Sequence, residues 1–74
     1  MKTYLSLFER KRPGLWVNEA DQMCIKLNED YRRTFTAYLD NRPNPSKVIV
    51  NEKGNPLRFR SAEAAAKHLL TDTN

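Results

Sequence analysis

Along the first third of the chain, apolar and polar positions alternate with a period of two. Between Thr3 and Glu9, Leu5 and Leu7 stand against Tyr4, Ser6 and Phe8, which predicts a strand with both faces partly covered. Leu15-Trp16-Val17 predicts a second strand. Met23, Ile25 and Leu27, alternating with Cys24 and Lys26, predict a third. In the Arg10–Gly14 segment, Pro13 presets φ and Gly14 permits positive φ, so a tight reversal is expected there.

The period changes after Asn28. Ala20, Met23, Cys24, Leu27 and Tyr31 also fall on one helical face, so a longer helix competes with the third strand. The strand is preferred because Asn28 has the character of an N-cap, with Glu29 and Asp30 where a helix start favours acids. Tyr31, Phe35, Tyr38 and Leu39 then follow helical spacing and predict a helix that stops near Asn41, ahead of Pro43. Arg42 to Ser46 reads as a stiff connector.

The last third predicts a hairpin. Val48 and Val50 pair with Phe59 and Leu57 on one face, Ile49 lies on the other, and Gly54 takes the left-handed position in the Glu52–Asn55 turn. Ser61 caps a final helix with Glu63 in its first turn. Its apolar stripe is Ala62, Ala65, Ala66, Leu69 and Leu70. Residues 71–74 are expected to fray. The expected fold is α+β, a single small domain over residues 1–74: an antiparallel sheet with two helices on one face, in the order β-β-β-α-β-β-α.

A chain of 74 residues buries only about 60% of its unfolded surface, so the core is small. Cys24 is the single cysteine and His68 the single histidine, which excludes an intrachain disulfide and a four-ligand zinc site. A reducing, cytoplasmic location is expected. No apolar run approaches the ~20 residues that span a bilayer, and the N-terminus lacks a signal-peptide pattern, so no membrane partner is expected. Thirteen basic against nine acidic residues give a net charge of +4, which favours an acidic partner such as DNA or RNA.

The hairpin register puts Lys47, Arg58 and Arg60 beside Ile49 on the face away from the helix, where they suit a phosphate backbone. The same charges also suit a solvated strand face that discourages edge pairing. Arg10, Lys11 and Arg12 form a second basic cluster at a hairpin tip. Arg32 and Arg33 fall on the polar side of the first helix, with Arg33 four residues from Glu29. Phe35 and Phe59 are assigned to the core. Trp16 is assigned by default to the core as well, although its alternation against Leu15 and Val17 leaves one of the two sets less buried, and Tyr4 shares that ambiguity. No carboxylate pair or glycine-rich phosphate loop is recognisable, and neither His68 nor Cys24 has a catalytic partner in sequence. The chain is therefore read as a non-enzyme without a cofactor.

Phe59-Arg60-Ser61 and the alanines that follow, about 25 residues with the hairpin, resemble in shape the sheet-plus-helix arm-binding domains of some phage and transposon integrases. The resemblance departs from that pattern in two places. The family helix carries its acid slightly later than Glu63, and a third strand would have to come from elsewhere. The likeness assigns no family. Two functions remain: a basic accessory or regulatory protein that binds DNA or RNA, and a protein-interaction module or homodimer with no affinity for nucleic acid.

Overall fold

The structure, a computed structural model, describes residues 3–28 and 33–71. Four strands, β1 (Glu9–Arg12), β2 (Leu15–Asn18), β3 (Met23–Leu27) and β4 (Phe35–Tyr38), form an antiparallel sheet in chain order. One α-helix, α1 (Ala62–Thr71), packs against β3, β4 and a 3-10 turn at Tyr4–Leu7. The α+β class holds. Among the described residues there is one α-helix where two were expected, and the strands precede it in a single meander.

The register explains how the sheet divides its side chains. Trp16 faces Ile25, and Ile25 faces Ala37, so these three share the surface that receives α1. Ile25, Ala37, Ala65, Ala66 and Leu69 are fully buried there, with Phe8 and Ala62 beside them. The alanines allow the helix to lie close to the sheet. Leu15, Val17 and Cys24, with Tyr38, form a smaller cluster on the opposite surface. Alternation thus gives β2 and β3 an apolar residue set on each face, as the mixed pattern of Leu15-Trp16-Val17 implied.

The expected first strand is instead the 3-10 turn, closed by Phe8 N–H donating to Leu5 C=O at 2.9 Å. Leu5 and Phe8, three apart, point to the core, while Leu7 is 59% exposed. Three-residue spacing of the two inward side chains suits a tight turn and not a strand.

The expected helix after Asn28 is corrected to β4. Thr34, Phe35, Thr36 and Tyr38 are β-branched or aromatic, and pairing with β3 lets Phe35 and Ala37 face the helix while Thr36 and Tyr38 face away. Asn28 caps nothing. Its side-chain Nδ2 donates to Thr34 Oγ1 at 3.2 Å, and its Oδ1 accepts from Thr36 Oγ1 at 2.9 Å, closing the mouth of the β3–β4 hairpin. The acids Glu29 and Asp30, with Tyr31 and Arg32, lie outside the described residues.

The final hairpin is reduced to single bridges. Val48 pairs with Tyr38, Val50 with Pro56, and Phe59 with Phe35. Leu57 N–H donates to Ile49 C=O at 2.9 Å and Asn51 N–H to Asn55 C=O at 2.8 Å, but Pro56 between them has no N–H to continue a ladder. Ile49 N–H donates to Ala37 C=O at 2.9 Å, and the Ile49 side chain joins the core. Val50 is 47% exposed. The face assignment of this segment is therefore reversed from the alternation expected. Gly54 does adopt φ 83°.

The last helix forms as expected, with Ala64 N–H donating to Ser61 Oγ at 3.1 Å. Thr71 remains helical, its hydroxyl donating to Lys67 C=O at 2.6 Å, and residues 72–74 lie outside the described residues.

Candidate nucleic-acid interface

The β1–β2 reversal is the centre of the basic surface. Gly14 sits at φ 85°, and a Cβ there would lie 3.1 Å from Leu27 Cβ. Its C=O accepts the Leu27 N–H at 2.7 Å. A side chain at position 14 would separate the turn from the end of β3. Glycine keeps the two together and brings residues of β1, β2, β3 and β4 around one corner of the sheet.

Two hollows flank that corner and share Pro13, Gly14 and Leu27. The first, about 400 Å³, is lined by Arg10, Trp16, Arg33 and Phe35 besides the shared residues. The second, about 270 Å³, adds Arg12, Leu15 and Lys26. Among the described residues, no carboxylate lines either one. Arg10 lies opposite Trp16 in the β1–β2 register, so the guanidinium stem and the indole project from the same face. Trp16 and Phe35 have ring centroids 5.9 Å apart at 58°, a tilted aromatic contact. Arg33 holds φ 53°, an unusual backbone for a residue other than glycine.

The basic residues singled out in the sequence separate into distinct settings. Arg10 and Arg12 stand at the corner. Lys11, between them, is neutralised by Glu9 at 3.1 Å and Glu19 at 3.3 Å. The hydrogen bond from Lys11 to Glu9, then that to Glu19, raises the ammonium above its ordinary range. Among the described residues, these are the ion pairs. Lys47 ends a 3-10 turn at Pro45–Lys47, where its C=O accepts from Leu39 N–H at 2.8 Å. Arg58 Nη1 donates to Thr34 Oγ1 at 3.3 Å, and Arg60 is exposed just ahead of the Ser61 cap. With Ile49 turned into the core, Lys47, Arg58 and Arg60 do not share one strand face with it.

Lys26 and Arg33 complete the corner and were missed as site residues. Lys26 is legible in hindsight, because alternation against Ile25 and Leu27 sends it to the surface beside Leu15. The helical spacing puts Arg33 on a helix, whereas Phe35–Tyr38 form β4, so no local signal locates Arg33 at the corner.

The remaining chemistry is sparse. Among the described residues, no group of three or more His, Cys, Asp or Glu side chains gathers as a metal site, and no helix is long and apolar enough to cross a membrane. Cys24 is buried, and its thiol is pushed up to about 12 by loss of solvent, with the Asp40 charge adding to the rise. The His68 ring lies 5.3 Å from that of Phe59, on the helix side of the sheet. Compared with known proteins, the chain matches no family model, no curated protein and no solved structure.

Proposed function

We propose that this chain is a small nucleic-acid-binding protein of accessory or regulatory type, which contacts the phosphate backbone through the basic corner at Pro13–Gly14. One observation carries the assignment: among the described residues, Arg10, Arg12, Lys26 and Arg33 line two adjoining hollows and no carboxylate does. Arg10 and Arg33 line one hollow and Arg12 and Lys26 the other, so each hollow offers a polyanion two like charges. Lys47, Arg58 and Arg60 serve as flanking contacts.

The test is fluorescence anisotropy with labelled random oligonucleotides at two salt concentrations. Each phosphate contact contributes about 0.7 to 0.9 to the slope of log affinity against log salt. Replacing Arg10 and Arg12 with Gln flattens that slope by roughly 1.5 and weakens binding similarly for all sequences. Replacing Arg58 and Arg60 has the smaller effect. A protein that binds neither DNA nor RNA at low salt refutes the assignment.

A second function is favoured by a different observation. β1 stands at the edge of the sheet and, among the described residues, has no ladder partner on its outer side. Such an edge can accept a strand from a second copy or from another protein. Its four charged residues, Glu9 to Arg12, oppose that pairing. A concentration-dependent mass in light scattering, with no affinity for oligonucleotides, would select this function over the first.

A further inference from the structure

We infer that the hollow lined by Trp16 and Phe35 receives an unpaired nucleobase, so that the protein prefers single-stranded over duplex nucleic acid. This deepens the nucleic-acid assignment above and depends on it. Phosphate attraction alone does not distinguish single strands from duplexes. The larger hollow holds something further: a half-buried indole and a half-buried phenyl ring in contact, in a lining that also includes Arg10 and Arg33. Its volume of about 400 Å³ falls within the range of ligand clefts, roughly 300–1,000 Å³.

The chemistry that fits is a flat aromatic group joined to an anion. A tilted ring pair gives a base one face to stack on and one edge to abut. Arg10, facing Trp16 across the register, and Arg33, two residues ahead of β4, line the hollow with those rings. A base inserted against Trp16 leaves its own phosphate and the next one beside a guanidinium. A stacked, paired base in a duplex offers no free face, and taking one out of the stack costs a few kcal/mol for each base. Single strands present unpaired bases at no such cost. Stacking tolerates any base, because each has a π-face, so little sequence preference is expected.

The other surfaces offer less. The hollow lined by Val50, Leu57 and His68 also holds Glu52 and Lys53 and has no matched charge. The exposed apolar strip at Tyr4 and Leu7 has nothing to name its occupant.

Trp16 is the one tryptophan in the chain, so intrinsic emission reports this hollow directly. Oligothymidylate, oligouridylate and a blunt DNA duplex are titrated into the protein at low salt, following emission and anisotropy together. Saturable quenching by the single strands, with little change from the duplex, is the expected result. Trp16→Leu lowers single-strand affinity by roughly 5- to 150-fold and leaves duplex affinity nearly unchanged. Trp16→Phe keeps a ring and most of the affinity. Arg33→Gln flattens the single-strand salt slope by about 0.7. If Trp16→Leu fails to fold, the wild-type emission, Trp16→Phe and Arg33→Gln still decide. Binding without a change in Trp16 emission, or a duplex bound as tightly as the single strands, overturns this inference and leaves the nucleic-acid assignment standing. Absence of binding to all three overturns both.

Discussion

The carboxylate of Glu63 accepts the backbone N–H of Leu5 at 2.9 Å, joining two residues 58 positions apart. One acid serves two ends at once. It lies in the first turn of α1, where the helix dipole favours negative charge, and it satisfies an amide of the 3-10 turn packed beside that helix. Glu63→Ala removes a charge-assisted bond at a partly buried site and should lower stability by about 1.5–3 kcal/mol in denaturant unfolding. Glu63→Gln keeps an acceptor and should recover part of the loss. Equal stability of Glu63→Ala and wild type would mean the Tyr4–Leu7 turn is not held this way.

Gly14 and Gly54 share nearly the same backbone angle, φ 85° and φ 83°, in different surroundings. A Cβ at Gly14 meets Leu27 at 3.1 Å, whereas a Cβ at Gly54 meets nothing within 4 Å. Gly54→Ala should therefore carry only the left-handed strain of roughly 1–2 kcal/mol. Gly14→Ala should cost more and should also disturb the basic corner. Thermal unfolding of both variants checks the order, and equal losses would contradict the close approach of the turn to β3.

Asn28 and Thr36 give a direct contrast between cap and hairpin. Thr36 is buried at 5% exposure, and its hydroxyl donates to Asn28 Oδ1. Asn28→Ala leaves that hydroxyl without its acceptor and should cost about 1–3 kcal/mol. Thr36→Val removes the hydroxyl as well, so the double variant should lose less than the sum of the two singles. Additive losses would separate the two residues, and helical chemical shifts at residues 35–38 would restore the cap.

Stability should fall at alkaline pH through Cys24. The thiol ionises near 9.0 in its ordinary state and at about 12 when buried in the fold. Between those values the unfolded chain releases a proton that the folded chain keeps, so the free energy of unfolding declines as pH rises, by at most about 1.4 kcal/mol per pH unit. Burial raises the Tyr38 hydroxyl as well, which acts in the same direction at higher pH. Cys24→Ala should flatten the decline between pH 9 and 12 in urea unfolding. A decline of unchanged steepness would assign it to other groups. In the folded protein the thiol should also react slowly with an alkylating reagent at neutral pH.

Local chemistry determined the elements whose signals do not depend on a partner. Pro13-Gly14 reverses the chain because of its two backbone preferences. Met23 to Leu27 is a strand because its alternation persists on both faces. Ser61 and the alanine stripe give α1 its start and its buried side. The charge excess and the lone cysteine were equally plain in the sequence.

Tertiary pairing decided the rest. Tyr31, Phe35, Tyr38 and Leu39 have helical spacing, yet β3 offers a ladder and a second apolar surface, and that pairing outweighs the local period. The outer edge of β4 then takes up Val48, Ile49 and Phe59, turning Ile49 inward and dispersing Lys47, Arg58 and Arg60. The basic corner has the same origin. Arg10, Lys26 and Arg33 are far apart in the chain, and no local pattern relates them. They converge only because Gly14 lets the first turn rest on Leu27 and because β4 begins beside β3.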